Sequence, residues 1–199
     1  MEPTQPEAAG ARGPKSQAKR EALTTRIADA LLAEGVAQIP LRDLAAKLGT
    51  SDRMLLYYFD DKTDLVEAAI AELSARMGAM LAEVTPADRR PAAEVLESTA
   101  RFLLSSLVAP FMNVWADIAA RGGRGERPFQ AMAARSVESS LAWLDGQLAI
   151  ADDDARRTAA SAILAAVEGV RMIEAAAPGS TGGVTALLSG SFVGRPTNA

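Results

Sequence analysis

The sequence contains no cysteine and no histidine. Their absence excludes disulfides, thiolate zinc sites, cysteine–histidine nucleophile pairs and serine–histidine–aspartate triads. A metal would have to be held by carboxylates alone, so none is expected, and no cofactor motif is present. No apolar run approaches the roughly 18 residues that a transmembrane helix needs. Residues 1–13 lack the apolar stretch of a secretory signal, so no membrane partner is expected and the reducing cytoplasm is the expected compartment. Lysine is missing from everything beyond Lys62. With no nucleophile–base pair in view, the chain is not expected to be an enzyme.

What is present is apolar and helical. Of 199 residues, 49% are hydrophobic, enough for one or two small domains with real cores. The net charge of −4 argues against a bulk nucleic-acid binder, but its placement changes that reading. All four lysines (Lys15, Lys19, Lys47 and Lys62) lie in the first third. From Arg12 to Lys62 nine basic residues outweigh seven acidic ones, whereas from Thr63 onward 12 arginines face 16 acids. A mildly basic head on an acidic body suggests two modules with different partners.

Apolar periodicity predicts helices throughout and no strand of any length, hence an all-α fold. Residues 1–14 read as a mobile tail. Leu23, Ile27, Ala30 and Leu31 give a first amphipathic helix over 15–34, stopped by Gly35. A second runs from Leu41 to Leu48 behind Pro40, and Gly49 ends it. Ser51 can cap a third, Asp52 to Tyr58, whose inward residues are Leu55 and Phe59. Three short helices, two of them separated only by Gly49, Thr50 and Ser51, make an N-terminal three-helix bundle with a helix-turn-helix over 15–62. Residues 63–199 form a larger helical domain, with runs at 63–84, 92–107, 110–120, 127–149 and 153–177. Gly122, Gly123 and Gly125 separate two of these, and the segment 179–194 is too glycine-rich to count on as a helix.

A helix that enters the major groove keeps one face for its own domain and offers its first exposed turn to base edges. Leu55 and Phe59 are the docking face here. Arg53 can bond guanine bidentately, Met54 can touch a thymine methyl, and Asp52 can accept from a cytosine amino group, with Ser51 at the cap. Tyr57 and Tyr58 have hydroxyls suited to phosphate oxygens, as have the charges of Lys62 and Arg42. The plainer alternative makes the tyrosines surface cover and Arg53 a solvated charge.

The combination of Gly35, Leu44-Ala45, Gly49-Thr50-Ser51, Leu55, Tyr58-Phe59, Lys62 and Leu65 resembles the DNA-binding domain of the TetR family of bacterial transcriptional regulators. The chain departs from that pattern at Arg53, where the family has a small residue, and at Leu56, where it has tyrosine. Ile39 and Pro40 stand where a capping Ser or Thr is usual. The resemblance implies that residues 63–199 bind a small-molecule effector and pair two subunits. It also implies a homodimer that binds a pseudo-palindromic double-stranded operator and, as a repressor, is released by the effector.

For the effector, Phe102, Phe111, Met112, Trp115 and Met132 are the apolar candidates, adaptable where they are methionine. They serve equally as plain helical core. The alanine-rich stretch 159–177, with Ile163, Leu164, Val167, Val170 and Ile173, is the candidate for half of a dimer interface or for a buried helix of one subunit. A competing function from another class is a small-molecule-binding helical protein or scaffold without sequence-specific DNA binding.

Overall fold

The computed structural model describes residues 13–36 and 40–193; Ile39 and the tail before residue 13 lie outside them. The chain divides into two compact units, 1–73 and 74–199, and the division falls within one helix. Among the described residues every regular element is α-helical, apart from one isolated bridge between Arg90 and Leu148.

The first unit holds α1 (Pro14–Glu34), α2 (Leu41–Lys47), α3 (Asp52–Tyr58) and the start of α4 (Lys62–Val84). On α1 the residues Leu23, Ile27, Ala28 and Leu31 share one face and are buried. Also buried in this unit are Leu44, Ala45 and Leu48 of the second helix or its end, Leu55 and Phe59 of the third or its end, and Leu65, Val66, Ala69, Ile70 and Leu73 of α4. Gly49, at φ 62°, reverses the chain after α2. The Thr50 amide then bonds the Ala45 carbonyl at 2.9 Å and the Gly49 amide that of Ala46 at 3.0 Å. This is the left-handed closure for which glycine is favoured, and it leaves only two residues before α3 begins. Pro40 precedes α2 without any side-chain cap.

The second unit contains the rest of α4, then α5 (Ala92–Leu103), α6 (Ala109–Gly123), α7 (Arg127–Gln147), α8 (Asp153–Ala176) and α9 (Val184–Val193). Its core gathers Val95, Leu96 and Ala100 of α5, Leu144 and Leu148 at the end of α7, and Ala160, Ile163 and Val167 of α8. α5 packs on α8 and α9, and α7 on α6 and α8.

Three boundaries differ from the periodicity. α5 stops at Leu103 rather than 107, because Pro110 cannot continue a helix but suits the first turn of a new one. α6 runs through Gly122 to Gly123; of the three glycines there, Gly125 alone takes a positive φ, at 80°. α9 forms in the glycine-rich segment, because Leu188 packs against the core and Ser189 is buried, its hydroxyl bonded to the Thr185 carbonyl. Asp152 caps α8 by accepting the Ala155 amide at 2.7 Å. Of the residues offered above for a dimer interface or a buried helix, Ile163, Val167 and Val170 are buried within their own chain, while Ile173 is 52% exposed.

Candidate nucleic-acid interface

α3 is seven residues long and anchored by two side chains, Leu55 and Phe59, both fully buried. Its start is set by Ser51, whose Oγ accepts the Met54 amide at 3.2 Å. Asp52 turns one carboxylate oxygen back to the Arg53 amide at 2.8 Å, a negative charge at the positive end of the helix. That contact serves the helix start before it serves any base. The opposite face points outward: Arg53 is exposed, Met54 is 42%, Leu56 48% and Tyr57 65% exposed. Tyr58 is half-buried and meets Tyr57 edge-on, with ring centroids 5.0 Å apart. Arg42, in the first turn of α2, and Lys62, which opens α4, are exposed. The eight residues proposed for DNA therefore all lie in the first unit, six of them on α3 or its cap.

Two cations of the basic run in α1 do something the sequence did not suggest. Arg26 donates to the Leu48 carbonyl at 2.6 Å, at the end of α2. Arg20 donates to the Tyr58 carbonyl at 3.1 Å, at the end of α3, and to Asp64 at 2.7 Å. Both place positive charge where helix carbonyls have no intrahelical partner. Lys47 pairs with Glu34, closing α2 onto α1. The signal available in the sequence was only the excess of basic residues, and it could not separate cations that face solvent from cations that face a helix end.

Residues 26–69 match the family model described as bacterial regulatory proteins, tetR family. Over these residues the chain is similar to the N-terminal domain of TetR-family regulators. The match spans α2, α3, their turn and the start of α4, and so includes every residue assigned to DNA. No curated protein matches the sequence. Among solved structures, a transcriptional regulator from Rhodococcus sp. Rha1 shares 20% identity at a TM-score of 0.66, covering 87% of this chain and 91% of its own. The multidrug binding protein EbrR, complexed with imidazole, shares 16% at a TM-score of 0.65, covering 96% and 99%. At such identity the likeness is one of fold: a TetR-like helix-turn-helix followed by a larger helical domain. No helix among the described residues is long and apolar enough to cross a membrane.

In the second unit, Phe111, Met112 and Trp115 lie on α6 and Met132 on α7, which packs against it. Met112 and Met132 are buried; Phe111 and Trp115 are half-buried. Phe102 is half-buried on α5, a helix packed on α8 and α9. The turn between α6 and α7 is pinned by Arg121, which lies 3.6 Å over the Phe129 ring and donates to Glu126 at 2.7 Å. That hydrogen bond, with help from Arg124, holds the Glu126 carboxyl below the usual glutamate range.

Proposed function

We propose that the chain is a homodimeric repressor that lays α3 of each subunit in a major groove of a pseudo-palindromic operator and lets go when a small apolar effector binds. The observation that carries this reading is the outward face of α3. Arg53, Met54, Leu56 and Tyr57 stand exposed on a helix whose only buried anchors are Leu55 and Phe59. A two-turn helix presenting one arginine and three large apolar groups to water is costly as a free surface and well suited to base edges. Arg53 then reads guanine and Met54 a thymine methyl, while Ser51, Asp52, Tyr57, Tyr58, Lys62 and Arg42 complete the contact to bases and phosphates.

In this reading residues 15–62 are the DNA-reading module and 63–199 the effector and dimerisation module, acting in the cytoplasm. Support for pairing comes from α8, whose exposed residues Ala162, Ala165, Gly169, Met172, Ile173 and Ala176 form one smooth uncharged face. Leu187 on the adjoining α9 is 76% exposed. Support for an effector comes from the methionines and aromatics carried on α6 and α7, and from the fold shared with a multidrug binding protein. The effector can shift the DNA-binding state by no more than its difference in affinity for the two states.

The test is a mobility-shift titration with duplex from upstream of the chain's own gene and with random duplex, across a range of salt. Preferential binding that weakens steeply with salt is the expected result. Equal affinity for both duplexes would leave the competing scaffold reading in place.

A further inference from the structure

The reading helix is held at its far end by a side chain from another helix. α3 is far below the about 12–15 residues at which an isolated helix becomes stable, so its pitch is set from outside. At its start Ser51 does this locally. At its end the guanidinium of Arg20 makes three contacts at once. Nε donates to the Tyr58 carbonyl at 3.1 Å, one terminal nitrogen donates to Asp64 Oδ1 at 2.7 Å, and Cζ lies over the fully buried Phe59 ring, 4.8 Å from its centroid. Asp64 uses its other oxygen to accept the Asp60 amide at 3.0 Å, and its own amide is taken by Asp61 at 2.8 Å. The last carbonyl of α3, the turn after it and the first turn of α4 therefore converge on one arginine of α1. We propose that Arg20 is a positioning residue for sequence-specific DNA binding: it fixes the angle at which α3 presents Arg53 and Tyr57, and contributes no phosphate contact of its own.

The chemistry singles out arginine. Its planar fork can donate in two directions while its face stays on an aromatic ring; a lysine ammonium offers a point charge with no plane to stack. The inference rests on α3 being the helix that reads DNA. It also separates Arg20 from Lys15 and Lys19, which are exposed on the same helix.

The experiment measures affinity of the full chain for upstream and random duplex at several salt concentrations, for wild type, Arg20→Gln, Arg20→Lys and Asp64→Asn. Removing one charge-assisted contact should lower upstream affinity by about tenfold in Arg20→Gln. Affinity for random duplex, the salt slope and the helical circular dichroism should stay as in wild type. Arg20→Lys should fail to restore the preference, and Asp64→Asn, which keeps the side-chain shape, should lose it in the same sense. If Arg20→Gln weakens both duplexes equally and flattens the salt slope by about one, Arg20 is a phosphate contact and the inference is overturned. Unchanged upstream affinity in Arg20→Gln and Asp64→Asn overturns it as well. Should Arg20→Gln fail to fold, Asp64→Asn alone decides, by the same two readouts. A wild-type chain without preference for upstream DNA sinks the underlying reading instead, and is told apart from the other outcomes by that control.

Discussion

Arg53 and Lys62 are exposed cations nine positions apart, yet their loss should be felt differently. Arg53 sits on the outward face of α3, where the proposed bidentate contact to guanine would discriminate by about 1–3 kcal/mol. Lys62 opens the next helix, where a phosphate contact adds affinity without sequence information. Arg53→Ala is expected to shrink the ratio of specific to random binding. Lys62→Ala should weaken both and lower the salt slope by about one, as read in the same titration. Equal weakening by Arg53→Ala would show that it touches backbone only. At this scale the sequence was informative where a residue's role follows from its own helix: the Ser51 cap and the Leu55–Phe59 anchor are local consequences of spacing. It was silent on Arg20 and Arg26, because their partners lie 38 to 44 and 22 positions away and only folding brings them near.

At the scale of elements, helix existence followed from apolar periodicity, but ends followed from neighbours that a one-dimensional pattern does not contain. Gly122 illustrates this. A Cβ there would lie 3.2 Å from the Gln130 Cα and the Phe129 carbonyl oxygen, backbone atoms that cannot swing aside, whereas at Gly123 it would meet nothing within 4 Å. Alanine gains up to about 1 kcal/mol over glycine in a helix. Gly122→Ala should nonetheless destabilise by about 1–2 kcal/mol, through a clash between α6 and the start of α7. Gly123→Ala, in the last turn, should be neutral to stabilising by about 0.5 kcal/mol. Urea melts of the pair would contradict this account if Gly122→Ala proved the more stable. The turn from α8 to α9 offers a pH test. Glu174 accepts the Thr181 hydroxyl and the Gly179 amide at 2.6 Å, and these bonds, the Thr181 hydroxyl first, hold its carboxyl below the usual glutamate range. A carboxyl whose pKa is lowered by folding stabilises above its unfolded value and loses that contribution as pH falls through the lowered one. Glu174→Gln should therefore melt below wild type at neutral pH, with the gap closing as the solution is made acid. A gap that is constant down to acid pH would show that the charge is irrelevant to the turn.

For the whole molecule, the uncharged face of α8 and the exposed Leu187 make pairing testable without DNA. Met172→Glu or Leu187→Glu would place an unpaired charge in an apolar contact and should shift sedimentation to the monomer mass while the helical signal is kept. A variant that still sediments as a dimer would move the interface elsewhere. The proposed interface was only half legible in the sequence. The stretch 159–177 was rightly singled out as apolar, but Ile163 and Val167 face their own core, and the small residues between them form the outer face. The distribution of lysine has a practical consequence of a different kind. All four lysine side chains are exposed, and all belong to the unit that carries α3. An amine-reactive label thus has no lysine target anywhere in the second unit. A single acylation footprint, with and without the upstream duplex, reports on the unit that carries α3 in isolation, with no mutation and no cut in the chain.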